Sequence, residues 1–141
     1  MKYNEEHRDL FSTNFDEWTP AHCISADCKM GAGIAVPMKK KFKLAGLSES
    51  VDSMLFKTGF CIYHNKVYNL ITKKNYWHKP TYESLGASLT GMRIHAEQHS
   101  IKKIVMPKIG SGLDGLSWPK VREIIHEAFD PTDIEILVCY I

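Results

Sequence analysis

Two glycine-rich segments of the chain each follow an apolar, strand-like run and precede a helix-like segment. The first extends from Lys29 to Ile34 and the second from Lys108 to Gly115. Glycine lets backbone N–H groups turn toward a ligand without interference from a side chain, and a helix N-terminus favours negative charge. The pair of loops therefore predicts a ligand with more than one contact region, such as a nucleotide diphosphate.

Strand-like and helix-like segments alternate through the chain. Strands are predicted at 21–25, 59–63, 66–72, 101–106 and 133–141, with a hairpin turn at His64-Asn65. Helices are predicted at 34–44, at 81–99 and after Ser117, which offers an N-cap. This alternation indicates one α/β domain over residues 1–141, in which helices cover a mixed sheet. Both glycine loops then lie at carboxyl ends of strands, where open α/β sheets bind ligands.

The composition is that of an ordinary globular domain, because 44% of the 141 residues are hydrophobic and 24% are charged. The net charge of +2 is too small to favour nonspecific binding to nucleic acid or to a membrane. The charged N-terminus lacks the apolar core of a signal peptide, and no apolar run approaches the roughly 20 residues that span a bilayer. We expect a monomeric cytoplasmic protein with no membrane partner, and the nucleus stays open as a location.

Residue types that bind metals are scattered along the chain. The cysteines, which show no zinc-ligand spacing and are expected to be reduced thiols, are Cys23, Cys28, Cys61 and Cys139. His95 and His99 lie four residues apart, which is a metal-ligand spacing on a helix, but no third ligand is evident. We therefore interpret both as solvent-facing histidines and predict neither a metal nor a cofactor.

Lys79 lies between the predicted hairpin and the following helix, directly before Pro80 and among aromatic side chains. Most lysines are solvated surface charges. The proline would stiffen the backbone at this point, and the aromatic side chains would exclude water from the amine. A lysine amine in such a setting can attack a sugar anomeric carbon, which is the alternative to a surface role.

Polar residues also lie in or beside the two glycine loops. Asp114, inside the second loop, either caps a turn or serves as a general acid or base beside a bound ligand. Ser25 and Asp27, just before the first loop, either bind a ribose or phosphate or cap the chain locally. The lysines that follow the first loop are interpreted as a solvated helix face: Lys39, Lys40, Lys41 and Lys43.

Three of these motifs, taken in order, resemble one known family. Residues 21–35 (AHCISADCKMGAGIA) resemble the first ligand loop of macrodomains, and more narrowly that of the terminal ADP-ribose protein glycohydrolase branch. Residues 78–83 (HKPTYE) and 106–114 (MPKIGSGLD) resemble the other two motifs of that branch. The resemblance extends from about Asp9 to the C-terminus, and it implies a three-layer α/β/α macrodomain with a mixed central sheet that binds ADP-ribose.

The resemblance also implies a hydrolase with two catalytic residues. Lys79 would be the nucleophile toward the anomeric carbon of the distal ribose, and Asp114 would be the acid/base group. The implied substrates are ADP-ribosylated proteins with ester-linked mono-ADP-ribose on acidic side chains, together with O-acyl-ADP-ribose. ADP-ribosylated DNA remains an open alternative, because some members of this branch remove ADP-ribose from DNA bases.

The resemblance further implies a set of ligand-binding residues. Asp9 and Leu10 would lie near the adenine and Ser25 near the nucleotide, while Lys108 to Leu113 would surround the diphosphate and distal ribose. The C-terminal Ile141 would approach the ligand. The candidate ligand-binding residues are Asp9, Leu10, Ser25, Asp27, Gly31, Ala32, Gly33, Ile34, Lys108, Ile109, Gly110, Ser111, Gly112, Leu113 and Ile141.

Two other functions would use the same loops. One is a non-catalytic reader that binds ADP-ribose, which would need neither Lys79 nor Asp114, so the presence of both favours an enzyme. The other is a phosphatase acting on ADP-ribose phosphates, whose activity would be independent of Lys79.

Overall fold

The computed structural model describes residues 1–49 and 57–141. The strands are β1 (Lys2–His7), β2 (Thr19–Ser25), β3 (Cys61–His64), β4 (Val67–Lys73), β5 (Lys103–Met106) and β6 (Glu135–Tyr140). The helices are α1 (Ala35–Phe42), α2 (Tyr82–Gln98) and α3 (Trp118–Phe129), with short 3-10 turns at Leu10–Ser12 and Leu44–Gly46. Among the described residues, no helix is long and apolar enough to cross a membrane.

The strands of the described residues form one six-stranded sheet in the order β1-β6-β5-β2-β4-β3. Neighbouring strands are parallel except β3, which is antiparallel to β4. Helices α2 and α3 share a hydrophobic core with one face of the sheet, and α1 shares a second core with the other face. The expected three-layer α/β/α arrangement around a mixed sheet is therefore confirmed.

Helix α2 packs through the face that its apolar spacing predicts. The fully buried side chains of that face are Leu85, Leu89, Met92 and Ala96. Thr81 and Ser84 form a reciprocal cap, in which each side-chain oxygen accepts the backbone N–H of the other residue. This cap fixes the start of α2 directly after the segment that carries Lys79.

Strand β6 lies between β1 and β5, as its apolar composition predicts. No strand is predicted at the charged N-terminus, yet β1 forms there as an edge strand parallel to β6. Charged residues suit an edge strand because they discourage pairing with other chains. They also interrupt the apolar alternation by which a strand is predicted from a sequence. The N-terminal ammonium of Met1 donates to the carbonyls of Asp130 at 3.0 Å and Thr132 at 2.7 Å, which holds the start of β1.

The β3–β4 hairpin turns one residue later than predicted. The turn residues are Asn65 and Lys66, with φ of 50° and 61°, whereas His64 still pairs with Val67 at the end of the strands. Positive φ at both central positions is typical of a type I′ turn, whose twist matches that of the hairpin. The amide of Asn65 donates to the carbonyl of Lys43 at 3.0 Å and so ties the turn to the end of α1.

Ser117 occupies the N-cap position of α3, as predicted, although its side chain makes no cap hydrogen bond. The predicted solvent exposure of His95 is wrong. His95 is half-buried rather than solvent-facing: the Tyr68 hydroxyl lies 2.7 Å from its Nδ1, and its ring stacks on His99 with centroids 4.0 Å apart. Burial and the neighbouring His99 lower the pKa of His95.

Candidate active site

A cleft of about 750 Å³ opens between the two glycine-rich loops. The loops meet because β2 and β5 are adjacent parallel strands, and each strand leads at its carboxyl end into one loop. The cleft is lined by Cys23, Ile24, Ser25, Lys29, Met30, Gly31, Ala32, Gly33, Ile34, Ala35, Lys73, Tyr76, Pro107, Lys108, Ile109, Gly110, Gly112, Leu113 and Asp114. The two loops are therefore neighbours, as the α/β architecture predicts.

Glycine is required at two positions where the loops turn or touch. Gly33 has a φ of 59°, and a Cβ atom there would lie 3.5 Å from Cδ1 of Leu113 in the opposite loop. Gly110 has a φ of 72°, and a Cβ atom there would lie 3.0 Å from Cδ1 of Leu116. Both residues adopt the left-handed region, where a side chain is strained.

The Asp27 carboxylate organises the segment that leads into the first loop. Its Oδ1 accepts hydrogen bonds from the Ser25 hydroxyl and, at 3.2 Å, from the Lys29 N–H, while its Oδ2 accepts the Tyr76 N–H at 2.9 Å. Partial burial acts to raise the pKa of Asp27, but these hydrogen bonds outweigh it and lower the pKa. Asp27 thus joins the first loop to the segment after β4. Of the two candidate residues Ser25 and Asp27, only Ser25 lines the cleft.

The charges that line the cleft are mostly positive. Lys29, Lys73 and Lys108 contribute three cations, against the single carboxylate of Asp114. Lys108 is also positioned by an aromatic ring, because its Nζ lies 4.2 Å from the ring centroid of Tyr140. A concave site with an excess of cations attracts an anionic ligand such as a diphosphate.

Asp114 is paired with a lysine that the sequence analysis does not single out. The Nζ of Lys73 lies 2.7 Å from Oδ1 of Asp114, and the two side chains are 15% and 18% exposed. Lys73 is the last residue of β4, and it lies 41 positions before Asp114 in the chain. The partner is therefore brought to the second loop by the sheet rather than by local sequence.

Lys79 is exposed rather than buried among aromatic side chains. It lies at the rim of the cleft, next to the lining residue Leu113, and is not itself among the residues that line the cleft. Its Nζ donates to the carbonyl oxygen of Leu113 at 2.6 Å, one residue before Asp114. The expected exclusion of water is wrong because the nearby Trp77 ring points outward and is 64% exposed. The fold nevertheless brings Lys79 to the same short segment of the second loop that carries Asp114.

Five of the candidate binding residues lie outside the lining of the cleft, and Asp27, described above, is one of them. The Asp9 carboxylate accepts the Phe11 N–H at 2.9 Å and so caps a 3-10 turn, and Leu10 is buried in the core on the α1 face. The Ser111 hydroxyl donates to the Lys108 carbonyl at 2.9 Å. Ile141 is 90% exposed after the end of β6.

Several residues that line the cleft are absent from the predicted site. Lys73 and Tyr76 follow the apolar run of β4, and a lysine at the carboxyl end of a strand is the signal that could have identified Lys73. Burial and the nearby Asp114 carboxylate raise the pKa of the Cys23 thiol to about 12, so this lining residue is neutral near pH 7.

Within residues 1–49 and 57–141, no group of three or more His, Cys, Asp or Glu side chains is arranged to hold a metal ion.

Comparison with known proteins gives the family. The Macro domain family matches residues 22–125. The human protein named ADP-ribose glycohydrolase OARD1 is 46% identical over 126 residues, which cover 84% of this chain and 78% of the human protein. The DNA ADP-ribosyl glycohydrolase of Thermus aquaticus is 24% identical over 77% of this chain, but the match covers only 33% of that protein.

The fold agrees with that family. The solved structure titled "Macrodomain of Thermus aquaticus DarG" superposes with a TM-score of 0.86 at 19% identity and covers 99% of this chain and 98% of that one. The resemblance indicated by the three sequence motifs is therefore confirmed, and the chain belongs to the Macro domain family.

Proposed function

We propose that the protein is an ADP-ribose glycohydrolase that removes mono-ADP-ribose from ester-linked acidic side chains and deacylates O-acyl-ADP-ribose. The observation that carries the proposal is the meeting of an exposed amine, Lys79, and a carboxylate, Asp114, at one short segment of the second glycine loop. The 46% identity to a human ADP-ribose glycohydrolase supports the same activity. A reader of ADP-ribose would need the cleft but not this pair.

The cleft suits ADP-ribose by its size and charge. Its volume of about 750 Å³ lies in the usual range of small-molecule sites, roughly 300–1,000 Å³. In this proposal, the backbone of both glycine loops and the cations Lys29 and Lys108 surround the diphosphate. The distal ribose then points toward Asp114 and the rim where Lys79 lies. We also propose that the protein acts as a monomer.

The first half of the reaction transfers the sugar to the enzyme. Lys79 gives up a proton and the resulting amine attacks the anomeric carbon; a C–N bond forms, and the C–O bond to the acyl group breaks with its electron pair on the departing carboxylate. A carboxylate is a good leaving group and needs little protonation. Asp114 accepts the proton that the amine loses.

The second half returns the amine. The sugar–lysine adduct opens to an imine, water adds to the same carbon, and the C–N bond breaks as the amine regains its proton from Asp114. The net change is the consumption of one water molecule, with release of ADP-ribose and the free acid. Substrate would have to replace the hydrogen bond between Lys79 and the Leu113 carbonyl, which a long, exposed side chain can exchange readily.

The test is release of ADP-ribose from ADP-ribosyl-glutamate and O-acetyl-ADP-ribose by the wild type and by Lys79→Ala. We expect Lys79→Ala to lose hydrolysis while calorimetry still detects ADP-ribose binding. Full turnover by Lys79→Ala would overturn the nucleophile assignment. Binding by the wild type without hydrolysis of any ester would favour the reader, and phosphate release from ADP-ribose 1″-phosphate would favour the phosphatase.

ADP-ribosylated DNA is the second candidate substrate. Two exposed aromatic rings, Tyr76 and Trp77, lie in the segment before Lys79 with centroids 5.3 Å apart, and exposed rings can stack on unpaired bases. The relative from Thermus aquaticus is named for this activity. An ADP-ribosylated oligonucleotide tested beside the two ester substrates decides whether DNA is a substrate. We expect Trp77→Ala to slow only the hydrolysis of the oligonucleotide.

A further inference from the structure

We propose that Lys73 is a positioning residue for this reaction: its ion pair with Asp114 fixes the carboxylate and the second loop in the geometry that serves Lys79. The inference rests on the proposed function, because Asp114 is the acid/base group of that proposal. It assigns a role to a cleft-lining lysine that none of the three sequence motifs contains.

The ion pair is the only hydrogen-bonded contact of the Asp114 carboxylate among the described residues. The Nζ of Lys73 approaches Oδ1 at 2.7 Å, and Oδ2 has no hydrogen-bond partner there. Both side chains are largely shielded, with exposures of 15% and 18%, so solvent screens this pair less than a pair on the open surface. One carboxylate oxygen is thus fixed, and the other is left for proton transfer.

A β-bulge fixes the backbone of Lys73. Strands β2 and β4 pair Ile24 with Ile71 and then Ser25 with Lys73, so one residue of β4 is skipped. The Ala26 N–H donates to the Lys73 carbonyl at 2.9 Å directly after the bulge. Bulges of this kind redirect side chains next to functional sites.

Lys73 therefore joins the two glycine loops. Its backbone holds the segment that leads into the first loop through Ala26, and its side chain holds the second loop through Asp114. An error of about 1 Å in the position of a catalytic group can lower the rate about 100-fold. Because Lys73 fixes the carboxylate that moves the proton, we expect it to act on kcat more than on ligand affinity.

The same contact argues against Lys73 as the nucleophile. In the ion pair Lys73 is an ammonium group, which has no lone pair for attack on the sugar. Lys79 donates instead to a neutral carbonyl and lies exposed at the rim, where substrate can displace that contact. The two lysines of this segment thus have separate roles.

The experiment measures kcat and KM for ADP-ribosyl-glutamate, together with calorimetric ADP-ribose affinity, in Lys73→Met, Lys73→Arg and Lys74→Met. We expect Lys73→Met to lower kcat about 10- to 100-fold with a much smaller change in affinity. Lys73→Arg keeps an ion pair and should recover part of kcat. Lys74, the exposed neighbouring residue, provides the matched control, and Lys74→Met should behave as the wild type.

A second comparison separates positioning from a general loss of structure. Because Lys73 acts through Asp114, Lys73→Met should have little further effect in an Asp114→Asn background. Thermal unfolding confirms that each variant is folded. The inference would be overturned if Lys73→Met left kcat unchanged or lowered only the affinity for ADP-ribose. It would also be overturned if Lys73→Met lowered kcat by the same factor in the Asp114→Asn background as in the wild type. An inactive wild type would instead overturn the proposed function, and this inference with it.

Discussion

The side-chain amine of Lys79 lies 2.6 Å from the carbonyl oxygen of Leu113, the residue that directly precedes Asp114. This contact places a primary amine beside the loop that carries the candidate acid/base group, although the two residues belong to different elements. The Asp114 side chain itself pairs with Lys73. One segment, from the end of β4 to the start of α2, therefore delivers two lysines to adjacent residues of the second glycine loop.

Replacement of Asp114 by asparagine should slow turnover by about 10²- to 10⁴-fold, because the isosteric amide neither accepts nor returns the proton. ADP-ribose binding should be largely retained, since the shape of the cleft is preserved. Steady-state kinetics measures the first effect and calorimetry the second. A rate within twofold of the wild type would contradict the acid/base role.

Replacement of Gly110 by alanine should destabilise the second loop and weaken ADP-ribose binding. The residue has a φ of 72°, and the added Cβ would lie 3.0 Å from Leu116 Cδ1, so strain and contact act together. The expected loss in the free energy of unfolding is about 1–3 kcal/mol by urea titration. Gly46→Ala is the matched control, because an added Cβ there meets nothing within 4 Å. Equal stability of the two variants would contradict the strain argument.

The stability of the protein should fall as the pH decreases from about 6.5 to about 4. Burial lowers the pKa of His22 to about 4, and the hydrogen bond with Asn69 at 2.6 Å opposes this only in part. The unfolded chain therefore takes up a proton on His22 at a higher pH than the folded chain does, which favours unfolding between those values. The resulting loss is on the order of 3 kcal/mol, complete near pH 4.

His22→Gln provides the control for that pH dependence, since glutamine can still donate to the Asn69 oxygen but does not titrate. Urea unfolding of both proteins at several pH values should give a shallower pH slope for the variant. Parallel slopes would show that other groups cause the acid sensitivity.

The features predicted from the sequence are those encoded locally. The buried face of α2 follows from the spacing of Leu85, Leu89 and Met92, and the interior position of β6 follows from its continuous apolar run. The neighbouring glycine loops follow from their places at the ends of parallel strands.

The features that were missed depend on long-range contacts or on polar residues. Strand β1 is recognised only by its partner β6, because its own residues are charged. The ion pair of Lys73 with Asp114 joins positions 41 residues apart, and a bulge in β4 helps to direct the lysine. The exposure of Lys79 depends on the outward direction of Trp77, which residue types alone do not reveal.

The central claim is a covalent sugar–lysine intermediate on Lys79. Hydride reduction during turnover of ADP-ribosyl-glutamate would convert the imine to a stable amine, and intact-mass and peptide mass measurements would locate it. We expect one added ADP-ribose on Lys79 in the wild type and none in Lys79→Ala treated in the same way. An adduct on Lys73, or no adduct in a preparation that continues to hydrolyse the ester, would contradict the account.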